Sequence, residues 1–151
     1  MDSTLTSAES DISSSPIRDK LGDALLPGFT VIPAIMLREQ HTLRLNDGEM
    51  LVAMHMLLAW WEKDRLPYTK SATIAKRMGV TARTVQRHMK GLEEKGCLRK
   101  VVDPSDSEKT SFDLAPLVAR LQELGRKAHA ARWKAQSVDQ VGVQITSDLS
   151  A

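Results

Sequence analysis

The chain has 151 residues, room for one domain with tails. Apolar residues make up 42% and charged residues 26%, the balance of a soluble globular protein, and the single Cys97 excludes an internal disulfide framework or a Cys-rich metal centre. The net charge of +2 hides an asymmetry: Lys63 to Lys100 holds eleven Lys or Arg against three acidic residues, a balance of +8, and the remainder holds ten against sixteen, −6. Clustered cations point to a polyanionic partner, the alternative being a solvated helical surface.

Residues 1–27 are rich in Ser, Thr, Asp and Gly and are expected to form a disordered tail. The start is acidic and hydroxylated rather than basic and then apolar, so no secretory signal is expected. Phe29 to Ile32 is apolar and β-branched, and Pro33 suits the first turn of a helix reaching about His41. Asn46 with Glu49 three residues on makes a capping box for a helix from Asp47 to about Glu62. That helix is apolar nearly all round, the mark of a central buried element. The apolar stretch Met50 to Trp61 is interrupted by His55 and falls far short of the ~20 residues that span a bilayer. A cytoplasmic location is expected. Trp60 and Trp61 cannot both face one core, so one packs while the other lies at a rim or a dimer contact. Pro67 breaks the chain in a loop.

Ser71 to Met78 reads as a short helix with Ile74 and Met78 inward and Ala75 small where a crossing helix comes close. Gly79 suits a left-handed stop, Val80 is expected to re-enter the core, and Thr81 can cap the next helix. The second helix runs from Ala82 to about Lys95, with Gly96 as its stop. Its inward stripe is Val85, Met89 and Leu92, which leaves Arg83, Thr84, Gln86, Arg87 and Lys90 outside. Arg pairs bidentately with guanine and Gln with adenine. Arg83, Thr84 and Arg87 are therefore the first candidates for base contact and Gln86 the next. Lys70, Ser71, Lys76, Arg77, Thr81, Lys90, Arg99 and Lys100 are the candidates for phosphate contact. Any one of them read alone could be a solvated side chain.

Cys97 to Val102 reads as a strand, Asp103 to Asp106 as a turn, and Thr110, Phe112 and Leu114 as the alternation of a second strand. Helix, turn, helix and hairpin in that order make a winged helix. Asp103, Asp106 and Glu108 stand against Lys109 at the tip, so the tip is expected to stay away from phosphate, with Arg99 and Lys100 at the base making any backbone contact.

The run TIAKRMGVTARTVQRHMKGLEEKGCLRK, residues 73–100, resembles the winged helix-turn-helix family of bacterial regulators. It is especially similar to the domains of plasmid and phage replication initiators and of gluconate-repressor-type regulators. The likeness covers about Phe29 to Leu121 and includes FTVIP and WWEKDRLP. It implies double-stranded DNA as ligand, with the second helix of the pair in the major groove. His88 departs from the small or apolar residue the family usually has there. It reads as a histidine at the core edge or a rim residue near phosphate.

Pro116 marks a further helix to about Gln136. Leu117, Leu121, Leu124, Ala128, Ala131 and Ala135 keep a coiled-coil spacing, and Arg120, Lys127 and Lys134 recur every seven residues as a basic stripe. The first half is expected to pack on the domain and the helix to contribute to a homodimer. The fold class is thus mainly α with a small β-hairpin, a winged helix-turn-helix with an additional C-terminal helix. Its parts are a tail over 1–27, the DNA-binding domain over 28–115, the helix over 116–136 and a disordered tail over 137–151.

The leading function is sequence-specific binding of double-stranded DNA by a transcriptional regulator, nucleoid-associated when bound. A replication-initiation or mobile-element accessory protein is the second reading, and a protein-interaction adaptor is one of another class. No enzyme activity or cofactor is expected: the chain lacks a phosphate-binding Gly-Lys-Ser/Thr loop and a nucleophile–base pairing. The dispersed His41, His55, His88 and His129 have no metal-ligand spacing. No sequence feature supports a small-molecule effector.

Overall fold

A computed structural model describes residues 16–67 and 69–148, with backbone alone at 107–109 and 137–148. The chain divides into two compact units, Met1–Val31 and Ile32–Ala151. In the first, helix α1 (Pro16–Leu21) leads into one 3-10 turn, Gly22–Leu25, and neither buries a residue. The expected disordered stretch therefore contains helix. Pro16 is compatible with a first helical turn, where its fixed φ fits and its missing N–H costs nothing. The part of that expectation covering residues 1–15 lies outside the described residues.

The second unit opens with α2 (Ala34–Arg38) and α3 (Gln40–Leu43). A single helix from Pro33 to His41 was expected. Pro33 instead caps α2 from outside, and the chain breaks at Glu39 (φ −109°, ψ 24°) before resuming. Arg44 closes α3 in the left-handed region at φ 59°, where a side chain costs about 1–2 kcal/mol.

Helix α4 (Asp47–Ala59) carries the capping box: the Glu49 N–H donates to Asn46 Oδ1 at 2.8 Å, and the Asn46 N–H donates to Glu49 Oε2 at 3.2 Å. Met50, Val52, Ala53 and Met56 are buried, while Leu51 stays 48% exposed, so the helix is central without being enclosed. It ends three residues before the expected Glu62, where Trp60 turns extended. Trp60 is half-buried and Trp61 exposed, which divides the pair between core and rim.

Helix α5 (Ser71–Met78) buries Ile74 and Ala75, and Gly79 stops it at φ 69°. The Val80 N–H closes the turn on Ala75 O at 3.0 Å. Its side chain remains 38% exposed, contrary to the expected return to the core, because the bond fixes the backbone while the side chain points out. Helix α6 (Ala82–Glu94) starts at Thr81, whose hydroxyl accepts the Thr84 N–H at 3.2 Å, and buries Val85, Met89 and Leu92. Gly96 ends it at φ 69°, and the Cys97 N–H returns to Leu92 O at 2.9 Å.

Cys97 and Leu98 are buried ahead of strand β1 (Arg99–Asp103), which pairs antiparallel with β2 (Asp106–Asp113). The strand starts two residues later than Cys97 because the helix-closing bond holds that backbone. Lys100 faces Phe112 and Val102 faces Thr110, with a register shift after Val102. Asp113 then caps helix α7 (Ala115–Asp148) by accepting the Ala115 N–H at 2.9 Å. Leu117 and Leu121 join the core, and residues 126–136 are exposed. The helix outruns the expected end at Gln136. With no proline in the way, each added residue contributes a hydrogen bond to a helix already nucleated.

One core joins α2 to α7: Met36 and Leu43 meet Met56, Ile74, Leu92 and Leu117, all under 2% or at most 2% exposed. The architecture is the expected mainly helical one with a two-stranded wing and a C-terminal helix.

Candidate nucleic-acid interface

The burial stripe of α6 fixes which side chains face out. With Val85, Met89 and Leu92 inward, Arg83, Gln86, Arg87 and Lys90 are exposed. They join Thr81 and Thr84 around a shallow groove of about 390 Å³ whose lining contains no carboxylate. Among the described residues neither Arg83 nor Arg87 forms an ion pair. Two side chains of this group already have work. Thr84 is half-buried, and its hydroxyl lies 3.0 Å from that of Thr81 in the helix cap. Gln86 Nε2 donates to Ser71 Oγ at 3.4 Å, across to the first residue of α5.

A second groove of about 740 Å³ lies beside the first. Thr69, Lys70 and Ser71 come from the start of α5, Gln86, Met89, Lys90 and Glu93 from α6, and Lys100, Thr110 and Phe112 from the hairpin. Strand register explains the last three, since the Lys100–Phe112 and Val102–Thr110 pairs share one face of a two-residue repeat. The fold thus brings Lys70, Ser71, Lys90 and Lys100 together.

It does not bring Arg99 with them. Arg99 sits opposite Asp113 on the other face of the hairpin and forms an ion pair with it. Lys76 and Arg77 are exposed at the far end of α5 and line neither groove. Arg77 is close enough to His55 of α4 to act on it: partial burial first, and the Arg77 charge second, hold the imidazole below its ordinary 6.5. At the hairpin turn, Asp103 Oδ1 accepts the Ser105 N–H at 2.8 Å and the Ser105 hydroxyl at 2.6 Å. One acidic side chain of the tip is therefore part of the turn itself. Glu108 and Lys109 have side chains outside the described residues.

Four contacts set the placement of α6, and no local sequence pattern carries any of them whole. His88 is half-buried against Gly48, where an added Cβ would come within 2.2 Å of the imidazole ring. Gly91 lies under Glu49, where an added Cβ would come within 2.4 Å of Oε1. The same buried carboxylate pairs with Lys95 Nζ at 2.5 Å. The first turn of α4 therefore crosses the middle of α6 through two glycines, one from each helix. Both glycines sit inside helical runs, a visible sign of close approach. At the end of α6, Arg120 Nη1 donates to Lys95 O at 3.2 Å and to Cys97 Sγ at 3.0 Å. The expected basic stripe of α7 is accordingly divided, with Arg120 holding α6 and Lys127 paired to Glu123 at 2.9 Å.

Among the described residues no group of His, Cys, Asp or Glu could hold a metal ion, and no helix is long and apolar enough to cross a membrane.

Residues 43–98 match the helix-turn-helix domain family. No curated protein matches the sequence. Among solved structures the chain is similar to the N-terminal domain of DnaD from Geobacillus kaustophilus, at 25% identity over 77% of this chain and 96% of that one, with a TM-score of 0.52. Looser likenesses are to a mutant of S. aureus MepR bound to an oligodeoxyribonucleotide and to YusO of Bacillus subtilis. The first is 18% identical over 75% of this chain and 83% of that one, TM-score 0.45; the second is 20% identical over 95% and 94%, TM-score 0.44. The family match covers residues 43–98, and the hairpin Arg99–Asp113 that follows them completes a winged helix-turn-helix architecture.

Proposed function

We propose that the chain is a sequence-specific double-stranded DNA-binding protein, a transcriptional regulator that reads the major groove with α6 and performs no catalysis. The observation that carries this reading is the composition of the α6 groove: Thr81, Arg83, Thr84, Gln86, Arg87 and Lys90, all donors or cations, with no carboxylate among them. A surface meant only for solvent has no reason to exclude one sign of charge. Arg83 and Arg87 supply discrimination by pairing with guanine edges, each worth about 1–3 kcal/mol. Lys70, Ser71, Thr81, Lys90 and Lys100 flank them and hold phosphates, with Lys76 and Arg77 farther along the backbone; these set affinity and its salt dependence. Arg99 contributes least, being engaged by Asp113.

The protein acts as a homodimer in the cytoplasm, at the nucleoid when bound. Support for the dimer is the seam of α7: Leu117 and Leu121 are spent on the core, but Ala128, Ala131 and Ala135 continue the spacing on exposed turns. A role in replication initiation uses the same surface and rests on the likeness of residues 73–100 to replication initiators. The test is titration of random and selected duplexes at two salt concentrations. Binding that prefers the selected duplex and weakens with salt is expected. Binding indifferent to sequence and salt would leave only a protein-docking role.

A further inference from the structure

We infer that Ser71 is a specificity-determining residue of this interface, because its hydroxyl orients the Gln86 amide so that α6 reads adenine at one position. The inference rests on α6 being the DNA-reading helix. Gln86 is exposed, and an exposed glutamine otherwise samples many rotamers, so it makes a poor reader of bases. Here its Nε2 donates to Ser71 Oγ at 3.4 Å, fifteen residues away on another helix. The bond is long and lies in water, so it adds little to the stability of the free chain. Its consequence is directional.

Gln86 belongs to the lining of both grooves, and Ser71 to the larger one. The tether therefore holds the amide on the ridge between the reading face and the phosphate-facing face. Adenine is recognised by one N–H and one carbonyl oxygen of the same amide. A primary amide has two N–H groups and one oxygen. Giving one N–H to Ser71 leaves the reading pair intact and fixes the plane in which it lies. When DNA excludes water from the groove, the low local dielectric strengthens the bond. Other acceptors line the larger groove, the Thr69 and Thr110 hydroxyls and the Glu93 carboxylate, but Ser71 Oγ is the one that the Gln86 amide reaches.

The experiment is in vitro selection of bound duplexes with the full chain, run in parallel on wild type, Ser71→Ala, Ser71→Thr, Gln86→Ala and the Ser71→Ala/Gln86→Ala double variant. Wild type is expected to prefer A·T at one base pair. Ser71→Ala and Gln86→Ala should each lower that preference about tenfold and leave other positions alone. The double variant should lose no more than either single one, and Ser71→Thr should keep the preference because it keeps the hydroxyl. If Ser71→Ala weakens all duplexes alike while wild type stays selective, Ser71 is only a phosphate contact and the inference falls alone. Gln86→Ala with every preference intact also overturns it. A wild type with no preference at all overturns both the inference and the DNA-reading function.

Discussion

Replacing Gly91 with alanine should change sign with its surroundings. In an ordinary helix interior the substitution stabilises by about 1 kcal/mol, because alanine loses less backbone freedom on folding. At this position the new Cβ would stand 2.4 Å from Glu49 Oε1 and 3.2 Å from Cδ. The carboxylate cannot move without cost: it accepts the Asn46 N–H at 3.2 Å, the Asn46 side-chain amide at 3.1 Å and Lys95 Nζ at 2.5 Å. Displacing it forfeits its half of the helix cap, about 1 kcal/mol. It also forfeits the bond to Lys95, held to about 1 kcal/mol because that side chain is 34% exposed and partly screened. Against the propensity gain, Gly91→Ala should therefore destabilise the wild type by about 1 kcal/mol. In a Glu49→Ala background the obstacle is gone, and the same change should stabilise by about 1 kcal/mol, a coupling of about 2 kcal/mol between the two sites. Urea unfolding of the four proteins, followed by circular dichroism, measures it. Gly91→Ala stabilising both backgrounds equally would mean that the carboxylate does not lie over Gly91, and the account of how α6 is seated would be wrong.

Other outcomes follow from the same geometry. Arg87→Ala should relax sequence preference at one base pair by about 1–3 kcal/mol. Lys90→Ala should weaken all duplexes alike and reduce the slope of log affinity against log salt by about 1, as read by anisotropy across salt concentrations. The two neighbours on β1 should separate: Lys100→Ala lowers DNA affinity, whereas Arg99→Ala leaves affinity nearly unchanged and lowers the unfolding midpoint by loss of the Asp113 pair. For His55, the folded imidazole titrates below the unfolded value of 6.5, so the unfolded chain takes up the proton first. Stability should fall as pH drops below about 6.5 and level off below the folded value. His55→Gln should flatten that part of a thermal-unfolding pH series, and an unchanged slope would remove the reasoning.

Features set by neighbours in the chain were legible from the residues alone. Asn46 and Glu49 announce their cap, Gly79 its left-handed stop, Thr81 the start of α6, and Val85, Met89 and Leu92 the buried face that exposes Arg83 and Arg87. Glu49 shows the limit. Its local bond to Asn46 is a four-residue pattern, but its pairing with Lys95 joins positions forty-six residues apart, and no local pattern carries that. Gly48 and Gly91 carry part of the missing information, since glycine inside a helix suggests a close neighbour without naming it. Arg99 and Lys100 looked equivalent as basic residues at the base of the wing. The alternation of a strand separates them, and only the register with Asp113 and Phe112 says which faces the grooves. Arg120 read as one step of a surface stripe because its partners, Lys95 O and Cys97 Sγ, are contributed by the backbone end of another helix and by a buried thiol. Arg44 adopts its left-handed conformation with none of the glycine or asparagine signal that usually marks one.

Under the function proposed above, the exposed face of α6 reads DNA sequence. The most direct test of that reading is anisotropy titration of wild type and the Arg83→Ala/Arg87→Ala variant against the selected duplex and a scrambled duplex of equal length, at one fixed salt concentration. Wild type should prefer the selected duplex by about a hundredfold or more, and the variant should bind both duplexes with nearly equal, weaker affinity. Equal binding of the two duplexes by wild type, or an unchanged preference in the variant, would contradict it.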